Sequence, residues 1–265
     1  MMSDILVEVI GKVQLITINR PDVMNSMDFE ANDILIDIWK SFQSDPDLRV
    51  AVITGAGEQA FCAGADLKTY TQTFANYPAC EFREKFTNGV GFGGITRNLD
   101  IYKPLIAAVN GYAISGGFEI ALACDLRFGS PNAKFGLQDA KWGFHACDGG
   151  LIRLPQIVGL GHAMEIVLSA DLVGCDDAFR MGLINKIIPQ KKLLEYSLEY
   201  AEKLSRRAPL SHRMAKEVMK RSIGLNLDEA LRLESSSFRN VGESADLKEG
   251  LAAFKEKRSA DFRGI

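Results

Sequence analysis

The stretch KPLIAAVNGYAISGGFEIALACDLRF, from Lys103 to Phe128, constrains the fold of this chain more than any other. Leu105–Val109 is an unbroken apolar run of strand length, the kind that a parallel sheet buries on both faces. A glycine-rich turn follows, and the spacing then predicts a helix from about Gly116 to Cys124 and a further strand. Strand, turn, helix and strand in succession are the substance of an α/β core.

The flanking sequence extends that pattern. Ile5–Ile10 and Val13–Asn19 are short, β-branched and separated by Gly11-Lys12, which predicts a hairpin. Asp28–Phe42 spaces Phe29, Ile34, Leu35, Ile38 and Phe42 at helical intervals and stops before Asp45-Pro46. RVAVITGAG is a buried strand running into a glycine turn, and Asp66 is placed to cap a helix through Lys68. Ala79–Leu99 is predicted helical, weakened by the glycines from Gly89 to Gly94. From about Gln190 the character changes. Lys191–Arg207, Leu210–Ser222, Asp228–Val241 and Asp246–Lys257 are helical patterns with no strand between them. The expected organisation is a mixed core over residues 1–190 and a helical C-terminal region over 191–265.

Composition removes several classes of function. The 265 residues, 47% of them hydrophobic, suffice for a sizeable core. With 31 basic and 34 acidic residues the net charge is -3, and no basic face announces nucleic acid. MMSDILVEVI lacks the parts of a secretory signal, and no apolar run is long enough to span a membrane. The five cysteines, Cys62, Cys80, Cys124, Cys147 and Cys175, form no C-x-x-C pair. Neither a disulfide framework nor a zinc site is expected, and the location expected is the cytoplasm.

Two glycine turns, FCAGADL at Phe61–Leu67 and ISGGFEI at Ile114–Ile120, each follow a strand and lead toward a helix. Glycine lets backbone approach a ligand closely, and the first amides of a helix point outward with partial positive charge. Converging amides make an oxyanion hole, for which Ala65 and Gly116 are the candidate donors. Glu119 lies on the helix that Gly116 opens, flanked by Phe118 and Ile120-Ala121-Leu122. A carboxylate in apolar surroundings has a raised pKa, as a general acid or base at neutral pH requires. The loop FGLQDAKWGFHACDGG, Phe135–Gly150, adds Asp139, His145, Cys147 and Asp148. His145, Cys147 and Asp148 are spaced too closely for a metal site and lack a fourth ligand.

Together NRPDVMNSM, AVITGAGEQAFCAGADLK, KPLIAAVNGYAISGGFEIALACDLRF, AKFGLQDAKWGF with GGLIRLPQIVG, and LKEGLAAFKEKRSADF resemble the enoyl-CoA hydratase/isomerase (crotonase) family, in order along essentially the whole chain. The resemblance implies an α/β crotonase-like spiral of ββα units with a helical C-terminal region. It implies an acyl-CoA thioester substrate, no metal or redox cofactor, and a homotrimer or dimer of trimers joined through the C-terminal helices. The amides of Ala65 and Gly116 would hold the thioester oxygen. Two catalytic carboxylates are carried over, onto Glu119 and Asp139, where the family's second glutamate is here an aspartate one methylene shorter. Trp142 and Phe144 would wall the acyl pocket. CoA would lie along Met24, Asn25, Ser26, Ala63, Asp66, Leu67 and Lys68, with Phe254 and Lys257 reaching a neighbour's CoA.

The implied reaction is hydration of an α,β-unsaturated acyl-CoA, or the reverse dehydration. A double-bond isomerase of the same family is the alternative, although Asp148 is one position out of register with the aspartate of dienoyl-CoA isomerases. Two other classes stay open. AISGG at Ala113–Gly117 is one substitution from a nucleophile elbow, and Ser115, Asp139 and His145 follow the order of a hydrolase triad. A non-catalytic acyl-CoA binder would result if Asp139 cannot reach.

Overall fold

A computed structural model describes residues 3–70, 72 and 76–265. Its first sheet begins with β1 (Ile5–Ile10) and β2 (Val13–Ile18), which form the expected antiparallel hairpin. Helix α1 (Phe29–Ser44) follows, capped by Asp28, whose Oδ1 accepts from the Ala31 amide. The chain then repeats a motif. β3 (Val50–Gly55) turns into β4 (Ala60–Cys62), β5 (Leu105–Val109) into β6 (Tyr112–Ile114), and β7 (Leu126–Gly129) into β8 (Lys134–Gly136). The first member of each pair joins a six-stranded sheet, ordered β1-β2-β3-β5-β7-β10, and the second a four-stranded sheet, ordered β4-β6-β8-β9. β3, β5 and β7 are parallel, as are β4, β6 and β8, so each turn of the spiral stacks on the last.

Burial explains the apolar runs. Every residue of β3 and β5 is buried. Alternate side chains serve opposite faces. Ala51, Ile53, Leu105, Ala107 and Val109 point into the core shared with Trp39 and Phe118, and Val50, Val52, Ile106 and Ala108 point into a second layer. That second layer is closed by the C-terminal helix Leu193–Ser205 through Leu193 and Ala201.

One expectation needs correction. The helix predicted over Ala79–Leu99 is only α2 (Ala79–Phe82), a wide turn over Arg83–Thr87 and a short turn at Phe92–Gly94. Gly91, Gly93 and Gly94 all have positive φ, which a continuing helix forbids. Asp66 caps the turn after it: its side chain accepts from the Lys68 amide and its carbonyl from the Tyr70 amide.

Helix α3 (Gly116–Ala123) carries the site, and α4 (Gly150–Val158) and α5 (Leu160–Ser169) pack after it. The two-residue β9 (Val173–Gly174), α6 (Cys175–Arg180) and β10 (Lys186–Ile187) finish the core. Four helices end the chain: α7 (Leu193–Ser205), α8 (Pro209–Arg221), α9 (Leu227–Gly242) and α10 (Ala245–Glu256). Leu231, Phe238, Leu251 and Phe254 are exposed on α9 and α10, Phe254 at 87%. Among the described residues no helix is long and apolar enough to cross a membrane.

Candidate active site

The two glycine turns meet. Gly64 has φ +93°, and a Cβ on it would stand 2.9 Å from the Ile114 carbonyl oxygen and 3.2 Å from the Gly116 nitrogen. Only glycine lets the loops approach this closely. Ser115, at the start of α3, is held at φ 48° and ψ -119°, a sparsely populated region that its own amide secures by donating to Gly136 O at 2.8 Å. Ala65 and Gly116 line the same pocket, and neither amide has a hydrogen-bond acceptor among the described residues. Two residues with free amides therefore line one cavity of about 130 Å³.

Both carboxylates line that cavity as well. Glu119 is the one charged residue of α3, a helix whose residues from Gly117 onward are all buried. It is 2% exposed, and its Oε1 accepts from the Asp148 amide at 2.7 Å and the Gly150 amide at 2.8 Å. Burial pushes its pKa up to about 8, and the charges of Asp148 and Asp139 add to the rise; the two amides oppose it. Asp139 begins a short turn after β8 and is 5% exposed. Burial raises its pKa too, while the Ser115 hydroxyl, its own amide and His145 pull it back. Its Oδ2 is buried with no hydrogen-bond partner among the described residues. Each carboxyl thus resists ionisation, and burial is the first cause for both.

The wall is apolar. Trp142 and Phe144 line it as expected, 66% and 36% exposed, and Tyr70, Phe86 and Phe92 complete it. Phe86 and Phe92 come from the segment read as a weakened helix and Tyr70 from the stretch after Asp66, so no local signal marks them. Ala63 and Leu67 also line the pocket. The Ala63 amide donates to Met24 O at 3.0 Å and the Asp66 amide to Met27 O at 2.8 Å, so the strip from Met24 to Ser26 lies beside the strip from Ala63 to Lys68. Lys68 is exposed at this rim.

Several expected ligands are placed differently. Asn25 is fully buried, and its side chain donates to Ala56 O and Ala60 O and accepts from the Arg20 amide. It braces the turn between β3 and β4, and both polar atoms of its side chain are engaged. Phe254 lines a separate groove with Arg49 and Phe262, and Lys257 ends α10 exposed at φ 55°. Within one chain neither joins the pocket. Ser115, Asp139 and His145 share the cavity, yet no hydrogen bond joins Ser115 to His145, whose Nδ1 lies 2.9 Å from Ala146 O. The triad of a hydrolase is not assembled. No group of metal-binding side chains occurs among the described residues.

The chain has known relatives. The profile described as enoyl-CoA hydratase/isomerase matches residues 8–264. The (E)-benzylidenesuccinyl-CoA hydratase of Thauera aromatica is 37% identical over 260 residues, covering 98% of this chain and 99% of that protein. The short-chain-enoyl-CoA hydratase of Clostridium acetobutylicum is 34% identical over 266 residues, covering 98% and 97%. Among solved structures, an enoyl-CoA hydratase from Mycobacterium marinum superposes with a TM-score of 0.89 at 34% identity, covering 99% of each chain.

Proposed function

The chain belongs to the enoyl-CoA hydratase/isomerase family, and from that premise we propose that Glu119 and Asp139 carry out the addition of water beneath the Ala65 and Gly116 amides. The protein is an enzyme that hydrates the double bond of an α,β-unsaturated acyl-CoA, or dehydrates the 3-hydroxyacyl-CoA in reverse. The observation that carries the residue roles is the meeting of two buried carboxylates and two free amides in one cavity.

The chemistry follows from that meeting. The amides receive the thioester oxygen and stabilise the enolate that forms as water attacks C3. The ionised carboxylate takes the proton of the attacking water. The protonated one delivers its proton to C2, and the pair ends with as many protons as it began. Water addition changes no net oxidation state, so the reaction calls for no redox partner, and coenzyme A arrives as part of the substrate.

We place the CoA along Met24, Ser26, Ala63, Asp66, Leu67 and Lys68, with Lys68 at the rim where a phosphate would lie. The cavity, about 130 Å³, is close to one of about 150 Å³ that holds benzene in another protein. With aromatic walls, it suits a compact acyl group, either a short chain or a single ring. The exposed apolar faces of α9 and α10 support assembly into a trimer or a dimer of trimers, in which Phe254 and Lys257 would reach a neighbouring site. Free cysteines, three of them buried, support a reducing, cytoplasmic setting.

A panel of enoyl-CoA esters, short, branched and aryl, followed by loss of absorbance at the conjugated thioester band, tests the reading. Turnover of at least one ester, abolished in Glu119→Gln, is the expected result. A shift of the double bond without uptake of water would replace hydration by isomerisation.

A further inference from the structure

Asp148 has no part in the reaction as proposed, yet it is tied to more of the site than any other side chain. Its Oδ1 accepts from the Phe92 amide at 3.1 Å, from Thr96 Oγ1 at 3.1 Å and from Arg97 Nε at 3.2 Å. All three donors belong to the segment Phe92–Arg97, which packs against α3. Arg153 completes the clamp from α4, donating through Nη1 to Asp148 O at 3.1 Å and through Nη2 to Thr96 O at 2.7 Å. From the middle of this clamp the Asp148 amide donates to Glu119 Oε1. The same segment supports the other half of the site, because a Cβ on Gly116 would lie 2.7 Å from the Phe92 ring. One carboxylate thus ties the Glu119 side chain to the ring that backs the Gly116 amide.

The charge of Asp148 acts alongside its geometry. The groups that bear on Glu119 are Asp148 and Cys147 from the loop, Arg153 from α4 and Asp139 from the facing turn, with Arg97 behind Asp148 and His145 at the rim. Asp148 is the largest charge acting against ionisation of Glu119. A backbone amide at this point would hold Glu119 in place without any aspartate. The carboxylate adds a negative charge, opposed by Arg97 and by Arg153.

We infer that Asp148 is a positioning residue of this site: its carboxylate fixes the loop whose amide orients Glu119, and its negative charge, close behind that amide, opposes ionisation of Glu119. The inference rests on the hydration reading.

Asp148→Asn keeps an acceptor for Phe92, Thr96 and Arg97 and removes the charge. Asp148→Ala removes both. Activity that needs a protonated Glu119 is lost as pH rises through its pKa, so it shows a basic limb. In Asp148→Asn the limb of kcat/KM that Glu119 sets, basic where Glu119 is the acid and acidic where it is the base, should move to lower pH by about one unit or more, measured with the fastest ester of the panel. In Asp148→Ala the rate should fall further, by about 10²-fold, as Glu119 loses its placement. Carbon-13 NMR of the Glu119 carboxyl in both proteins reads the same titration without activity and should show the same downward shift. A pH profile in which neither limb moves, or an unmoved carboxyl titration, in a folded Asp148→Asn overturns the inference. The parent reading fails separately, if wild-type protein hydrates no ester or if Glu119→Gln retains its rate.

Discussion

The two sides of the pocket carry the same functional group in opposite settings. Glu119 stands in a buried helix with one oxygen held by two amides. Asp139 stands in a short turn that runs on to exposed Trp142, Phe144 and His145, and its Oδ2 has no hydrogen-bond partner among the described residues. The difference teaches how the two sides are built: backbone amides hold Glu119 from within the core, while Asp139 keeps an oxygen for the water or substrate hydroxyl that the proposed reaction places there.

The comparison breaks first if Glu119 is dispensable. Glu119→Gln should lower kcat/KM by about 10³-fold, within the range of general acid–base effects. It should also flatten the dependence of stability on pH. With a folded pKa of about 8 against a model value of 4.5, the native state binds more protons than the unfolded chain between those values, so stability falls as pH rises through them. Removing the titrating group should therefore stabilise the protein above pH 8 by the order of a few kcal/mol, at about 1.4 kcal/mol per unit. Melting curves from pH 4 to 9 measure this. A variant that melts in parallel with wild type at every pH would contradict the buried, reluctant Glu119 described above.

Next comes the Asp139 side. Asp139→Asn should cost about 10²-fold or more in hydration while leaving binding of a saturated acyl-CoA nearly intact, as calorimetry would show. Hydration that survives would move the second role to His145 or leave Glu119 alone. The amide donor shared by both sides is tested by a pair. Any side chain at position 116 presses on Phe92, so Gly116→Ala reports the crowding and Gly116→Pro the crowding plus the lost donor. Proline should be slower than alanine by about 10²-fold; equal rates would remove Gly116 from the oxyanion hole. Smallest is Asp139→Glu. One more methylene has to enter a cavity of about 130 Å³, and the rate on a short straight-chain ester should fall about tenfold through misplacement. A gain on that ester would mean the shorter acid makes room for a bulkier acyl group.

Legibility followed the length of the pattern. Leu105–Val109 and Ile5–Ile10 were readable to the residue, and the four C-terminal helices to within a few residues, because burial imposes a period on a long enough run. β4, β6 and β8, three residues each, carry no period, so the second sheet is invisible in sequence without the resemblance. Glu119 showed itself as an acid among apolar neighbours. Asn25 did not show that it is a strut, since an asparagine in a turn looks the same whether its amide faces a ligand or the carbonyls of Ala56 and Ala60.

The sequence by itself determined an α/β core, the helix that bears Glu119, and the glycines that let two loops touch. These follow from local sterics and from the burial of nearby residues. Only the tertiary structure decided what faces what. It brought Asp148 onto Phe92, Thr96 and Arg97 across more than fifty positions, turned Tyr70 and Phe86 into a wall, and left Asp139 Oδ2 alone. Such pairings depend on how successive turns of the spiral stack, and the free energy of a buried charge depends on every group around it, most of which are distant in the chain.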